Sequence, residues 1–454
     1  MFRRGWFPFL LLPFYWLYLL FNTQPVMIYD AVDYERLGSL VLHQGWGAYF
    51  HTLNREPLFP FLVSRAMALG EATGVPYHYF LKLILSPFLI ATMVGIYRLA
   101  RLLGARRVFA AAGAFYAGMS PALVHATLWL WSEAAALPWA VWGVWFFIKA
   151  WRSAAGASPL RRVTPYAFGA VLCFIGLFLV KAVASVVVTA YAVPLVLAAG
   201  LLFARRDFYR ARAFMLSALI VLGIFTFFIE GYKGFNFRMN AEREVTTRVD
   251  WALFGNTVRR LVPLTGDRWM QAALDVPHPR LCFKYYGQAC VFWDSSVSDE
   301  IGMRAQAYCV ARGFSGAQRR NFLIGGSFRL MADHPWQQFA LSLLEGSKML
   351  FWENRLFFVS YPLWLERLYN NDGWVYGLSF LVALSGLAGL VGALARGDSG
   401  SRLTAGFVIC FMLAYSVFFT NYRHAMPIGP LLIVLAVAMV DRVALKARKG
   451  READ

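Results

Sequence analysis

A few polar residues in an otherwise apolar chain could do chemistry together. Asp30 and Asp33 stand in the run Tyr29-Asp30-Ala31-Val32-Asp33-Tyr34, just past the first apolar stretch. Arg55 opens an Arg-x-Pro-x-x-Pro pattern that closes at Pro60. Glu133 follows Ser132 at the head of one apolar stretch, and Lys181 interrupts another in LFLVKAVAS. Asn421-Tyr422-Arg423-His424 precedes Pro427 and Pro430. A carboxylate can take the proton of an attacking hydroxyl. Cations can hold the negative charge that grows on a departing phosphate. That chemistry needs neither a nucleotide fold nor a P-loop, and the sequence contains neither.

Each residue also has a plainer explanation. Leu37, Leu40 and Val41 recur at helical spacing, so a short amphipathic helix begins near Asp30 or Asp33, and either aspartate suits its N-cap. The Arg55–Pro60 segment reads as a stiff re-entry turn, Glu133 as a helix-capping or helix-pairing group, and Lys181 as a snorkelling side chain. Against this stands the cost of placing ionisable groups in an apolar span, which makes each a functional hypothesis. Hydropathy alone puts Asp30, Arg55, Glu133, Lys181, Arg423 and His424 at one membrane level.

The elements that must position them are transmembrane helices. Of 454 residues 59% are hydrophobic and 15% charged, against about 25% charged in soluble domains. Apolar segments fall near 6–21, 79–97, 108–126, 129–149, 165–183, 185–203, 212–230, 375–395, 403–420 and 426–444. The spacing predicts an all-α polytopic membrane protein of about ten spans, or about eleven if residues 339–358 count as another. Glu345, Lys348, Glu353 and Arg355 argue instead for an amphipathic helix at the interface there. Basic connectors at 98–107, 149–162, 205–212, 396–402 and 442–451 all fall inside on the ten-span path. Phe2-Arg3-Arg4-Gly5 with Trp6 to Phe21 has the charge layout of a signal sequence but no small-residue cleavage site, so an uncleaved first span with a cytoplasmic start is expected. Three parts follow: residues 1–230, a transmembrane module with a first outer loop at 22–78; 231–374, an extracytoplasmic cap with the interfacial helix; and 375–454, the last spans and a cytoplasmic tail.

The net charge of +19 belongs mostly to those connectors, and no basic-aromatic pattern indicates nucleic acid. Cys173 and Cys410 sit in apolar spans as small hydrophobes. Cys282, Cys290 and Cys309 share one polar segment without CxxC or His spacing, which disfavours a metal site. A Cys282–Cys290 disulfide is expected if that segment faces an oxidising compartment. No cofactor is demanded. A divalent metal is compatible with the chemistry but no ligand cluster requires one.

In order, these features resemble the GT-C superfamily of integral-membrane glycosyltransferases, most of all protein mannosyltransferases and bacterial lipid A aminoarabinose transferases. The resemblance rests on Asp30 to Tyr34, Arg55 to Pro60, Ser132-Glu133, Lys181, His334-Pro335 and Tyr422-Arg423. It implies a GT-C-type bundle with an extracytoplasmic cap, in the bacterial inner membrane with the site facing the periplasm. It implies an inverting transferase that moves a sugar from a polyprenyl-phosphate donor to a glycan, lipid or protein hydroxyl. Asp30 maps to the catalytic base, with Asp33 as alternate. Lys181 maps to the phosphate contact, with Arg55 and Arg423 beside it and Glu133, Tyr422 and His424 as further binding residues. Two residues separate the aspartates where mannosyltransferases often have them adjacent, and Asn-Tyr-Arg-His departs from the commoner Arg-Tyr order. A transporter or flippase of lipid-linked or anionic substrates would also gather charges near a cavity, but no inverted repeat is visible. A polysaccharide polymerase or ligase is the other alternative.

Overall fold

The computed structural model describes residues 9, 11–27, 30–52, 55–156, 160–246, 248–353, 359–360, 364, 367, 372–418 and 422–451. At 295, 359, 360, 372–376, 422 and 448–451 it describes the main chain alone. Arg3-Arg4, the start of the expected first span, Arg355 and Asn421 lie outside these residues.

The chain is almost wholly helical. The first half comprises α1 (Leu11–Asn22), α2 (Asp30–Phe50), α3 (Leu58–Thr73), α4 (Tyr77–Leu102), α5 (Arg107–Met119), α6 (Pro121–Leu128), α7 (Ser132–Ala155), α8 (Leu160–Phe178), α9 (Ala184–Ala204), α10 (Phe208–Ala218) and α11 (Ile224–Asn240). A set of shorter helices follows: α12 (Arg248–Arg259), α13 (Gly266–Asp275), α14 (Pro279–Tyr286), α15 (Ser295–Ala311), α16 (Gly316–Arg320), α17 (Gly326–Asp333) and α18 (Pro335–Gly346). The chain ends in α19 (Asp372–Arg396), α20 (Ser399–Phe418) and α21 (Gly429–Arg451). The exit of α1 is tied down by a two-residue antiparallel pairing of Gln24–Pro25 with Val359–Ser360.

Among the described residues eight helices are long and apolar enough to cross a bilayer. A ninth forms if α5 and α6, bent by 47°, are one span; α1 is apolar but has only 12 residues. The break in the expected 108–126 span has a local cause. Ser120 Oγ accepts from Leu123 N at 3.2 Å, capping a new helix, and Pro121 has no N–H to continue the old one. The 212–230 segment lies within Phe208–Asn240, which carries a π turn at Leu219–Gly223.

Residues 339–353, the described part of that segment, differ from the interfacial reading. Helix α18 stops at Gly346, and a 3-10 turn, Ser347–Phe351, follows. Its charges turn inward. Glu345 pairs with Arg259 and Arg260, and Lys348 with Asp275. Glu353 accepts from Ser120 Oγ at 2.8 Å. The cap helices supply partners that a water-facing helix would not have needed.

Helix α7 is the buried axis of the bundle. Small residues let α8 press against it: a Cβ at Gly143 would come within 2.6 Å of Phe174, and one at Gly176 within 2.6 Å of Trp139. Close backbone approach of this kind is how apolar helices associate in lipid. At the end where α4, α7 and α9 finish, the basic connectors meet. Arg106 Nε donates to Asp441 Oδ1 at 2.5 Å, Arg152 Nη1 to the Leu102 carbonyl at 2.8 Å, and Arg442 Nη2 to Ser401 Oγ at 2.9 Å. The opposite end, where these helices begin, holds the polar cluster.

Candidate active site

The cluster is assembled from loops that pin one another. Helix α2 starts at Asp30, so both aspartates sit in its first turn, where the helix dipole favours a carboxylate. Helix α2 then bends at Gly45, whose φ of +80° is a left-handed conformation open at low cost only to glycine. Beyond the bend, Tyr49 Oη donates to the Arg55 carbonyl at 2.6 Å. The re-entry turn is locked to the α8–α9 connection: Ala182 N donates to Glu56 Oε1 at 2.7 Å, and Leu58 N to the Leu179 carbonyl at 3.0 Å. Arg55 and Lys181 are thus held on neighbouring turns.

Three arginines from three distant segments converge on Asp30. Arg55 Nη2 donates to Asp30 Oδ1 and reaches Asp33 Oδ2 at 3.1 Å. Arg423 Nη2 lies 2.5 Å from Asp30 Oδ2. Arg248, at the start of α12, brings Nη1 to 3.8 Å from Asp30 Oδ1. Burial alone would raise the Asp30 pKa, but Arg423, Arg55 and Arg248 hold it well below its ordinary 3.8. Nearby Asp299 of α15 behaves oppositely. Burial pushes it to about 6, although Arg248 and Arg423 pull the other way. One carboxylate is pinned as an anion while its neighbour is poised to titrate.

The head of α7 joins this group to the second one. Arg423 stacks 5.5 Å above the Trp131 ring. Tyr34, one helical turn on from Asp30, donates to Ser132 Oγ at 3.0 Å, and Arg55 lies over the Tyr34 ring at 4.8 Å. The next residue, Glu133, accepts from Lys181 Nζ at 2.7 Å. Lys181 and Glu133 are therefore each other's partners, with side chains 11% and 3% exposed. Lys181 does not snorkel to the surface, and Glu133 fits its helix-pairing description. His424 is buried and stacks on Tyr415, centroids 4.8 Å apart. Tyr422 begins the 3-10 segment Tyr422–Ile428, and its side chain is outside the described set.

Sequence reasoning missed Arg248 and Asp299. Both lie in the cap, where no motif is readable, and only the fold carries α12 and α15 over the mouth of the bundle. Tyr34 could have been found, because its spacing of four from Asp30 puts both on one helix face. Among the described residues no group of three or more His, Cys, Asp or Glu could hold a metal ion. A cation at Asp30 would have to displace guanidinium groups.

The architecture is an almost wholly helical integral-membrane bundle with a polar cluster at one end. Across its full length the chain is similar to the archaeal oligosaccharyltransferase AglB from Archaeoglobus fulgidus, solved in complex with an inhibitory peptide and a dolichol-phosphate. The TM-score is 0.50 at 14% identity, covering 100% of this chain and 52% of that one. The chain thus spans about half the length of that protein, and the likeness defines the fold. No protein-family profile and no curated protein matches the sequence.

Proposed function

We propose that the protein is an inverting glycosyltransferase that moves a sugar from a polyprenyl-phosphate donor to a hydroxyl on a non-cytoplasmic glycan, lipid or protein. The observation that carries this reading is the convergence of Arg55, Arg248 and Arg423 on one carboxylate. Fork-shaped guanidinium groups are the side chains best suited to phosphate oxygens. In the reaction the acceptor oxygen attacks the anomeric carbon from the face opposite the phosphate. The C1–O bond breaks, and polyprenyl phosphate leaves with its electron pair. Arg55, Arg423 and Arg248 take up that charge, with the Lys181–Glu133 pair beside them. The hydroxyl proton passes to Asp30, with Asp33 as the alternate acceptor.

A cavity of about 570 Å³, walled by apolar residues such as Phe339, Leu343, Leu387 and Leu413, suits the donor's prenyl tail. One wall is α20, which leads within a few residues to Arg423. The basic connectors at the far end favour a cytoplasmic location for that end. A disulfide joins Cys282 to Cys290 in the cap, as suits an oxidising compartment. Both support a bacterial inner-membrane protein whose site faces the periplasm. The test is to incubate purified protein with a panel of radiolabelled undecaprenyl-phosphate sugars and cell-envelope acceptors and to fractionate the products. Transfer from at least one donor, lost in Asp30→Asn, is the expected result. Lipid movement across vesicles without any product would instead favour a flippase.

A further inference from the structure

Three arginines suited to a phosphate share a single carboxylate in this structure. Both oxygens of Asp30 are engaged, Oδ1 by Arg55 and Arg248 and Oδ2 by Arg423. The arginines come from the turn before α3, the start of α12 and the turn before α21, and Asp30 is within ion-pair distance of all three. Asp33 pairs with Arg55 among the described residues and is 39% exposed. We propose that Asp30 is a stand-in for the donor's phosphate: it keeps the arginines converged while the site is vacant, and the arriving phosphate takes them over and thereby frees Asp30 to act as base.

This rests on the transferase reading and adds an order of events to it. A carboxylate offers two oxygens in one plane, whereas a phosphodiester spreads its two free oxygens tetrahedrally at the same charge and a monoester offers three at up to twice the charge. A carboxylate surrounded by guanidinium groups is also a poor proton acceptor, because its basicity has been spent on them. Asp30 is held well below its ordinary range by those groups, against the effect of burial. Once the arginines turn to phosphate, that hold weakens and the carboxylate regains affinity for a proton. The base is therefore disarmed until the donor is seated, so the donor binds before the acceptor hydroxyl can be activated. Asp30 also competes with the substrate for its own binding groups.

The competition can be measured with undecaprenyl phosphate, which carries the anion but no sugar. Binding to the full-length protein in nanodiscs is compared for wild type, Asp30→Asn and Asp33→Asn. Removing the stand-in is expected to tighten binding at least tenfold, and Asp33→Asn to change it by less than threefold. Equal or weaker binding by Asp30→Asn overturns the stand-in while leaving the transferase reading in place. No binding by any of the three overturns both. Should Asp30→Asn fail to fold, wild-type protein carrying 13C-labelled aspartate serves instead. Infrared difference spectra should show a carboxylate band shift on adding undecaprenyl phosphate, and none on adding undecaprenol. An unshifted band with the phosphate bound overturns the proposal.

Discussion

Two clusters of arginine and carboxylate lie in this molecule, and they are built on different plans. In the cap, Arg259 and Arg260 grip Glu345, while Lys348 grips Asp275. Arg260 also donates to Ser342 Oγ and to the Ser416 carbonyl, both at 2.6 Å. This cluster is sealed, with Arg260 and Glu345 only 1% and 2% exposed. At the mouth of the bundle, Arg55, Arg248 and Arg423 surround Asp30 from three separate segments, and Arg248 remains 29% exposed. A buried network in which each charge is closed off fixes geometry. One that is partly open can exchange its anion for another. The first reads as a clamp holding α12 against α18 and α20, the second as a site.

The contrast can be broken experimentally, starting with the largest effect. Asp30→Asn should lower sugar transfer by roughly 10²–10⁴-fold, the range of a lost general base. Undiminished turnover would move the base elsewhere, to Asp33 or Asp299. Glu345→Ala should act in the reverse sense. It strands two buried arginines at a cost of about 3–5 kcal/mol, visible as a drop in unfolding temperature and faster proteolysis of the cap. The wild-type contact also has a pH signature. Burial opposes ionisation of Glu345, but Arg259, Arg260 and Lys348 lower its pKa from 4.5 to about 2. Its contribution is thus complete above 4.5 and lost as pH falls toward 2.

Lys181→Ala comes next. Loss of one charge-assisted contact should weaken undecaprenyl-phosphate binding about tenfold, and Glu133→Gln should not. Equal affinity in both variants would make the pair purely a tie between α7 and the α8–α9 turn. The smallest effect belongs to Asp250 in α12. Burial, with Glu244 adding to it, raises its pKa from 3.8 to about 7, against the pull of Arg320 and Arg319. A raised carboxyl pKa means stability that is full below 3.8 and is lost as pH rises toward 7. Asp250→Asn should abolish that decline in melting temperature between those pH values. An unchanged pH profile would show that Asp250 is ionised throughout.

Much of the mouth was legible in the sequence because the bilayer is a strict solvent. An ionisable residue beside an apolar run is conspicuous, which is why Asp30, Arg55, Glu133, Lys181 and Arg423 stood out before any fold was known. What hydropathy could not give was who pairs with whom. Lys181 and Glu133 were read as separate contacts and are partners. The cap was opaque for a related reason: with water on one side, polar residues such as Arg248 and Asp299 carry no energetic flag. Local sequence gives Glu345 and Lys348 to the interface because their partners, Arg259, Arg260 and Asp275, lie far off along the chain. The kink at Ser120–Pro121 was written in plain sight, but the continuous apolar run masked it.

The bend at Gly45 has a consequence for how this site can be altered. The spacing of Asp30 from Arg55 depends in part on a backbone torsion at Gly45, which touches neither of them. Open space surrounds the position a methyl group would occupy there, so a residue with a side chain would fit sterically and still fail, through torsional strain alone. The alignment of the Asp30–Arg55 pair thereby depends on a residue without a Cβ, and an engineer tuning the distance between carboxylate and guanidinium would begin at that elbow.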